Sequence, residues 1–156
     1  MTLARTTTVA LALAALAATL PAAPARADAC EDLAALLKSQ IDGLALGKPA
    51  ANHIELAHAA VSRASLGCAA RNVTNEVFLA TDSRKPSDAF YDFAARAGAV
   101  VFTVPSDDIR RGVRRCVGRI GIFRGYDIAT RYRSLDIHCS GAKTGTTVTI
   151  SRQRDT

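Results

Sequence analysis

Apolar residues in the first half of the chain recur at helical spacing. Leu33, Leu36, Leu37, Ile41 and Leu44 share one face at a 3.6-residue period, and Cys30 projects onto it. Past Gly47-Lys48-Pro49, a second stripe runs through Ala50, Ile54, Ala57, Val61 and Ala64, and Cys68 extends it. The pattern predicts two helices folded back on each other at the Gly-Pro break.

Farther along, the pattern alternates between periods. Asn72 to Thr81 reads as a strand and Ser83 to Ser87 as a polar loop. Phe90, Phe93, Ala94 and Ala97 return to helical spacing, with Gly98 as the expected stop. The apolar run Ala99 to Val104 has the length of a buried strand. Ser106 is placed to cap the next helix, with Asp107 and Asp108 where the dipole favours anions. That helix is strongly amphipathic: Ile109, Val113, Cys116, Val117 and Ile120 on one face, Arg110, Arg111, Arg114 and Arg115 on the other, ending at Gly118 or Gly121. Residues 130–152 read as a hairpin, with the Ser140 to Gly145 stretch as its turn. The expected fold class is α+β: an N-terminal helical hairpin, then helices packed on a mixed sheet of about four strands, with two disulfides.

The N-terminus changes the picture of where this fold works. Arg5 precedes an uncharged run from Val9 to Leu20, and Ala25-Arg26-Ala27 fits the small-x-small rule for cleavage before Asp28. The run is about 12 residues, against the roughly 20 a membrane-spanning helix needs. Residues 1–27 are therefore expected to be a cleaved signal peptide. Residues 28–151 then form one domain, 152–156 a flexible tail, and the product is periplasmic or secreted. No segment after the leader is long and apolar enough to span a membrane.

All four cysteines, Cys30, Cys68, Cys116 and Cys139, lie past the leader. An even number in an exported chain argues for disulfides. In the expected hairpin, Cys30 and Cys68 reach the same end and face the seam, which predicts Cys30–Cys68 and leaves Cys116–Cys139. There is no Cys-x-x-Cys. His53 and His58 stand five residues apart rather than the four of a zinc helix, so no metal and no cofactor are expected.

Charge is unevenly distributed. With Arg5 and Arg26 removed, 18 basic residues face 14 acidic ones. From Asp28 to Pro105 there are 7 basic and 9 acidic residues; from Ser106 onward, 11 and 5. The positive field belongs to the C-terminal third. Arg110, Arg111, Arg114 and Arg115 are the candidate anion-binding residues, with Arg124, Arg131 and Arg133 as a second tier. Phe123-Arg124-Gly125-Tyr126 and Arg131-Tyr132-Arg133 interleave aromatics with arginine, as single-strand nucleic-acid binders do. A strand alternating core aromatics with solvent-facing arginines gives the same pattern, so nucleic acid is not the expected partner.

Few catalytic motifs survive inspection. Lys143-Thr144-Gly145 has the order of the strand motif of serine β-lactamases. The one upstream Ser-x-x-Lys, Ser140 to Lys143, ends on that same lysine, which cannot serve both places. The sequence thus leads to a non-catalytic binding or accessory protein of the cell envelope. Its basic C-terminal face would meet an anionic envelope component or an acidic protein. The alternatives are a small secreted hydrolase or nuclease, using His138 or His58 with a carboxylate and arginines, and a self-associating structural protein.

Overall fold

The structure, a computed structural model, describes residues 27–50, 52–69 and 74–152. Three helices, α1 (Ala27–Gln40), α2 (Asp88–Phe102) and α3 (Ser106–Val117), pack on one face of a seven-stranded antiparallel sheet. The strands are β1 (Ala45–Ala50), β2 (His53–Ala57), β3 (Arg63–Gly67), β4 (Glu76–Thr81), β5 (Asp127–Tyr132), β6 (Leu135–Ala142) and β7 (Gly145–Ser151). Their spatial order is β1-β2-β3-β4-β7-β6-β5. Residues 1–26 of the expected leader lie outside the described residues, as do 153–156 of the expected tail. Arg152, the first residue of that tail, donates a hydrogen bond to the Phe102 carbonyl at 2.7 Å.

The expected helical hairpin with about four strands is overturned. Residues 45–67 form three antiparallel strands where a second helix was predicted. The apolar positions that decide this are Ile54 and Leu56, then Ala64 and Leu66, each pair two residues apart and buried against the helices. A period of two puts all four on one face of a sheet. The helical stripe depended on alanines, which have high helix propensity but bury little, and packing overrides such propensity. Gly47-Lys48-Pro49 is no helix break; the β1 register shifts there, between Leu46 and Pro49. Proline and a bulge on an edge strand also discourage pairing with another chain.

Other expectations are corrected as well. Gly98 does not stop α2, and Ala99–Phe102 is the last part of that helix rather than a strand. The helix ends at Thr103, whose φ of 54° is left-handed. Ser106 does not cap α3 from outside but is its first residue; the Pro105 carbonyl accepts from the Asp108 and Ile109 amides instead. The expected hairpin over 130–152 is a three-stranded meander, β5-β6-β7. The strand expected over 72–81 is confined to Glu76–Thr81, with Asn72 and Val73 outside the described residues.

Both expected disulfides are present, Cys30–Cys68 with Cα atoms 5.7 Å apart and Cys116–Cys139 with 6.0 Å. The first pairing holds although the hairpin that suggested it does not. Three short antiparallel strands return the chain to the end from which α1 began, as one long helix would. The second bridge fastens the last turn of α3 to the middle of β6.

The core lies between helices and sheet. One row across the inner face runs Leu56, Ala64, Leu79, Val148, Cys139, Ile128; the next runs Ile54, Leu66, Val77, Ile150, Ile137. Over them lie Leu37 of α1 and Ile41 just past its end, Phe90, Phe93 and Ala97 of α2, and Ile109 and Val113 of α3. Two glycines allow close approaches within this core. A β-carbon on Gly98 would stand 2.8 Å from Ile109 Cδ1, and one on Gly112 would stand 2.7 Å from Ile137 Cδ1. Gly98→Val should therefore destabilise the domain by about 1–3 kcal/mol through overpacking. Cys116→Ala with Cys139→Ala should cost about 3 kcal/mol in the loop-entropy account. Urea denaturation curves check both; an unchanged midpoint for either would contradict the packing described.

Candidate anion-binding surface

The four arginines predicted on α3 have different surroundings. Arg110 pairs with Asp92, and lies 3.8 Å from Asp88; Arg114 pairs with Asp88. These contacts tie α3 to the antiparallel α2. Arg111 pairs with Asp108, one turn back, and Tyr132 hydroxyl and Asp108 hydrogen bonds hold it firmly charged. Arg133 approaches the same Asp108 at 3.7 Å, and Arg131 pairs with Asp136 across the β5–β6 hairpin at 3.0 Å. Exposed pairs of this kind contribute about 0–1 kcal/mol each, but they cancel most of the local field. Among the described residues, Arg115 and Arg124 of the seven have no ion pair.

Chain topology collects other cations around these two. The β4–α2 loop carries Arg84 and Lys85, the β6–β7 turn carries Lys143, and the α3–β5 connection carries Arg119 and Arg124. All three connections leave the same end of the sheet. The Thr146 hydroxyl contacts the Arg84 carbonyl at 3.4 Å, joining the first loop to the start of β7. The Gly141 amide donates to the Tyr126 carbonyl at 2.7 Å, joining β6 to the α3–β5 connection. A β-carbon on Gly141 would lie 2.7 Å from Ile120 Cγ2, so that connection folds down onto β6. The loops serve neighbouring strands β4, β7, β6 and β5, which span about 14 Å at roughly 4.8 Å per strand.

Arg84, Lys85, Arg124 and Lys143 are exposed, and no ion pair engages them among the described residues. Arg119 is half-buried, with its guanidinium 3.4 Å from the Thr130 hydroxyl. The carboxylates on or beside these three connections are Asp82, Asp88 held by Arg114, and Asp127 held by His138. The end is therefore net cationic. Sequence reasoning found Arg124 and missed Arg84, Lys85 and Lys143, which lie up to 40 residues away along the chain. Only the strand order brings them together. Lys143, met earlier as part of a rejected motif, acquires its place here.

The histidines divide. His58 stacks on Phe93 with ring centroids 4.6 Å apart. Its Nδ1 accepts from the Ala60 amide at 3.1 Å and its Nε2 donates to the Asp42 carbonyl at 3.1 Å. Both nitrogens are occupied in bracing the β2–β3 loop. His138 pairs with Asp127 on the uncovered sheet face, beside Arg131 and Asp136, in a shallow depression of about 280 Å³. A larger trough of about 910 Å³ on the same face, over β2 and β3, is lined by His53, Glu55, Arg63, Ser65 and Phe78. The Arg63 guanidinium sits 6.0 Å from the Phe78 ring centroid there. Among the described residues no three His, Cys, Asp or Glu side chains gather closely enough to hold a metal.

No family model, curated protein or solved structure matches the chain. The functional reading therefore rests on the surface itself.

Tyr91 reports on the α2–α3 seam. Burial pushes its phenol above the ordinary value near 10, opposed by Arg114, whose guanidinium lies 4.5 Å from the ring centroid. A phenol with a raised folded-state value stabilises the fold below about pH 10 and loses that contribution as pH climbs past it. Arg114→Ala removes the opposing charge, so Tyr91 should titrate higher still. Tyrosinate absorbance, with Tyr91→Phe assigning the signal, checks this; a downward shift in Arg114→Ala would contradict it.

Proposed function

We propose that this chain is an exported, non-catalytic binding or accessory domain that docks on an anionic component of the cell envelope. The observation that carries the reading is a set of cations without an ion pair among the described residues, Arg84, Lys85, Arg124 and Lys143, gathered at one end by three separate loops. The α3 arginines contribute mainly through Arg115, in the last turn of that helix and so nearest the loops. Arg110 and Arg114 serve the helix–helix seam. An acidic protein in place of the envelope component would use the same charges.

The setting supports export. The leader pattern of residues 1–27 fits a signal peptide, two disulfides staple the domain, and no described helix is long and apolar enough to cross a membrane. Disulfides persist in oxidising compartments such as the periplasm and the extracellular space. Counterion release makes binding of a polyanion by clustered cations depend steeply on salt.

Arg84→Gln, Lys85→Gln, Arg124→Gln and Lys143→Gln combined should lower the salt needed for elution from heparin resin and abolish retention on isolated cell-wall sacculi or anionic vesicles. Arg110→Gln with Arg114→Gln should lower thermal stability with a smaller effect on retention. Equal retention of the fourfold variant and the unaltered protein on all three supports would overturn the reading.

A second reading has one specific observation behind it. His138 shares a depression with Asp136 and Arg131 and pairs with Asp127, the constellation a small hydrolase or nuclease would use. Both members of the pair are well exposed on an open sheet, with side-chain exposures of 51% and 69%. An exposed cross-strand pair needs no catalytic explanation, so the binding reading is preferred. Phosphodiester or ester hydrolysis by the unaltered protein that His138→Ala removes would favour the hydrolase instead.

A further inference from the structure

The cationic end also carries the most exposed apolar residues among those described. Phe123 is 100% exposed and Ile122 87%, with Tyr126 at 49% close by. Large apolar side chains standing fully in water on a small domain mark interaction sites when they cluster. These sit at the tip of a closed turn. The Gly121 amide donates to the Gly125 carbonyl at 3.0 Å, and the Gly125 and Arg124 amides donate to the Gly121 carbonyl at 2.9 and 3.2 Å. Gly125 has a φ of +86°, and a β-carbon added at Gly121 or Gly125 would meet no atom within 4 Å. The turn stands clear of the body, and its own bonds occupy much of its backbone.

We propose that this turn is a membrane-touching tip, with Phe123 and Ile122 entering the interface of an anionic bilayer while the surrounding cations meet the headgroups. The proposal rests on the anionic docking surface argued above and names its partner. Two features favour a bilayer over a protein groove. The apolar element is convex and narrow, offering a partner protein little flat area to cover. At the same end of the sheet, exposed Arg124, Arg84, Lys85 and Lys143 complement a surface that is negative in every direction rather than at one point. Amphipathic elements hold at membrane surfaces by this combination of buried apolar area and attraction to anionic lipid. Tyr126, half-exposed near the base of the turn, has the amphipathic ring favoured at the headgroup level.

The chain contains no tryptophan, so Phe123→Trp introduces a single reporter at the tip. With vesicles of phosphatidylglycerol and phosphatidylethanolamine, its emission should shift to the blue and be quenched by brominated acyl chains. With pure phosphatidylcholine vesicles it should do neither. Ile122→Ser with Phe123→Ser should weaken co-sedimentation with anionic vesicles about tenfold, while Phe123→Leu retains most of it. Heparin retention of the serine variant should stay unchanged, which separates this proposal from the docking surface itself. Vesicle binding with an unshifted, unquenched tryptophan would overturn the tip and leave the charged surface standing. A concentration-dependent blue shift without vesicles would show the tip docking on a second copy and would also overturn it. Loss of vesicle binding together with elution from heparin at lower salt is expected of the fourfold glutamine variant; unaltered protein that binds neither would end both readings.

Discussion

Seven strands with only one covered face set the terms for everything else in this molecule. Burial is available mainly on one side, so strands such as β2, β3 and β7 alternate, and the inner rows through Leu66, Val77 and Ile150 and through Leu79, Val148 and Cys139 supply the apolar area on which the helices close. Antiparallel order sends connections to the two ends of the sheet. The outer face carries the row Glu55, Ser65, Phe78, Thr149 and His138, polar but for Phe78, and no described helix covers it. The Cys116–Cys139 bridge then fastens α3 over the β5–β6 half, so that the α3–β5 connection has a fixed base.

Charge follows from that arrangement. Helices α2 and α3 lie antiparallel on the inner layer, and Asp88 and Asp92 meet Arg110 and Arg114 across the seam. A helix that looks like a cationic face in isolation becomes half of an ion-paired interface once its neighbour is in place. The positive field reappears at the sheet end, where short loops hold cations that make no ion pair among the described residues. The same loops present Ile122 and Phe123 outward, which places apolar and cationic chemistry within a few residues of each other.

Much of this was legible in the chain before folding, and the parts that were not share a cause. The amphipathic α3, the start of α2 and the β7 alternation follow from local pattern, and disulfide bonding from an even cysteine count past the leader; the pairing came out right although the helical hairpin it was read from is not there. The strands β1 to β3 do not. Ala50, Ala57 and Ala64 at helical spacing mimic a helix stripe, while the decisive pairs Ile54/Leu56 and Ala64/Leu66 are too short to outweigh it. Gly98 reads as a stop because a glycine usually is one; its reason for being there, the side chain of Ile109 on another helix, is a tertiary fact. Arg84, Lys85 and Lys143 were invisible as a group for the same reason. Their proximity is a property of strand order, which residue spacing along the chain does not contain. Arg124 was found because it lies within the segment whose charge is locally high.

The central claim is that the binding surface is the loop-built end of the sheet and neither the α3 arginine face nor the open sheet face. Amide chemical-shift mapping with a short heparin oligosaccharide at low salt tests it most directly. The account predicts perturbations concentrated at residues 83–87, 119–126 and 142–145, fading as salt is raised. Perturbations centred on Arg110 and Arg111, or on the His53, Glu55 and His138 surface, would contradict it.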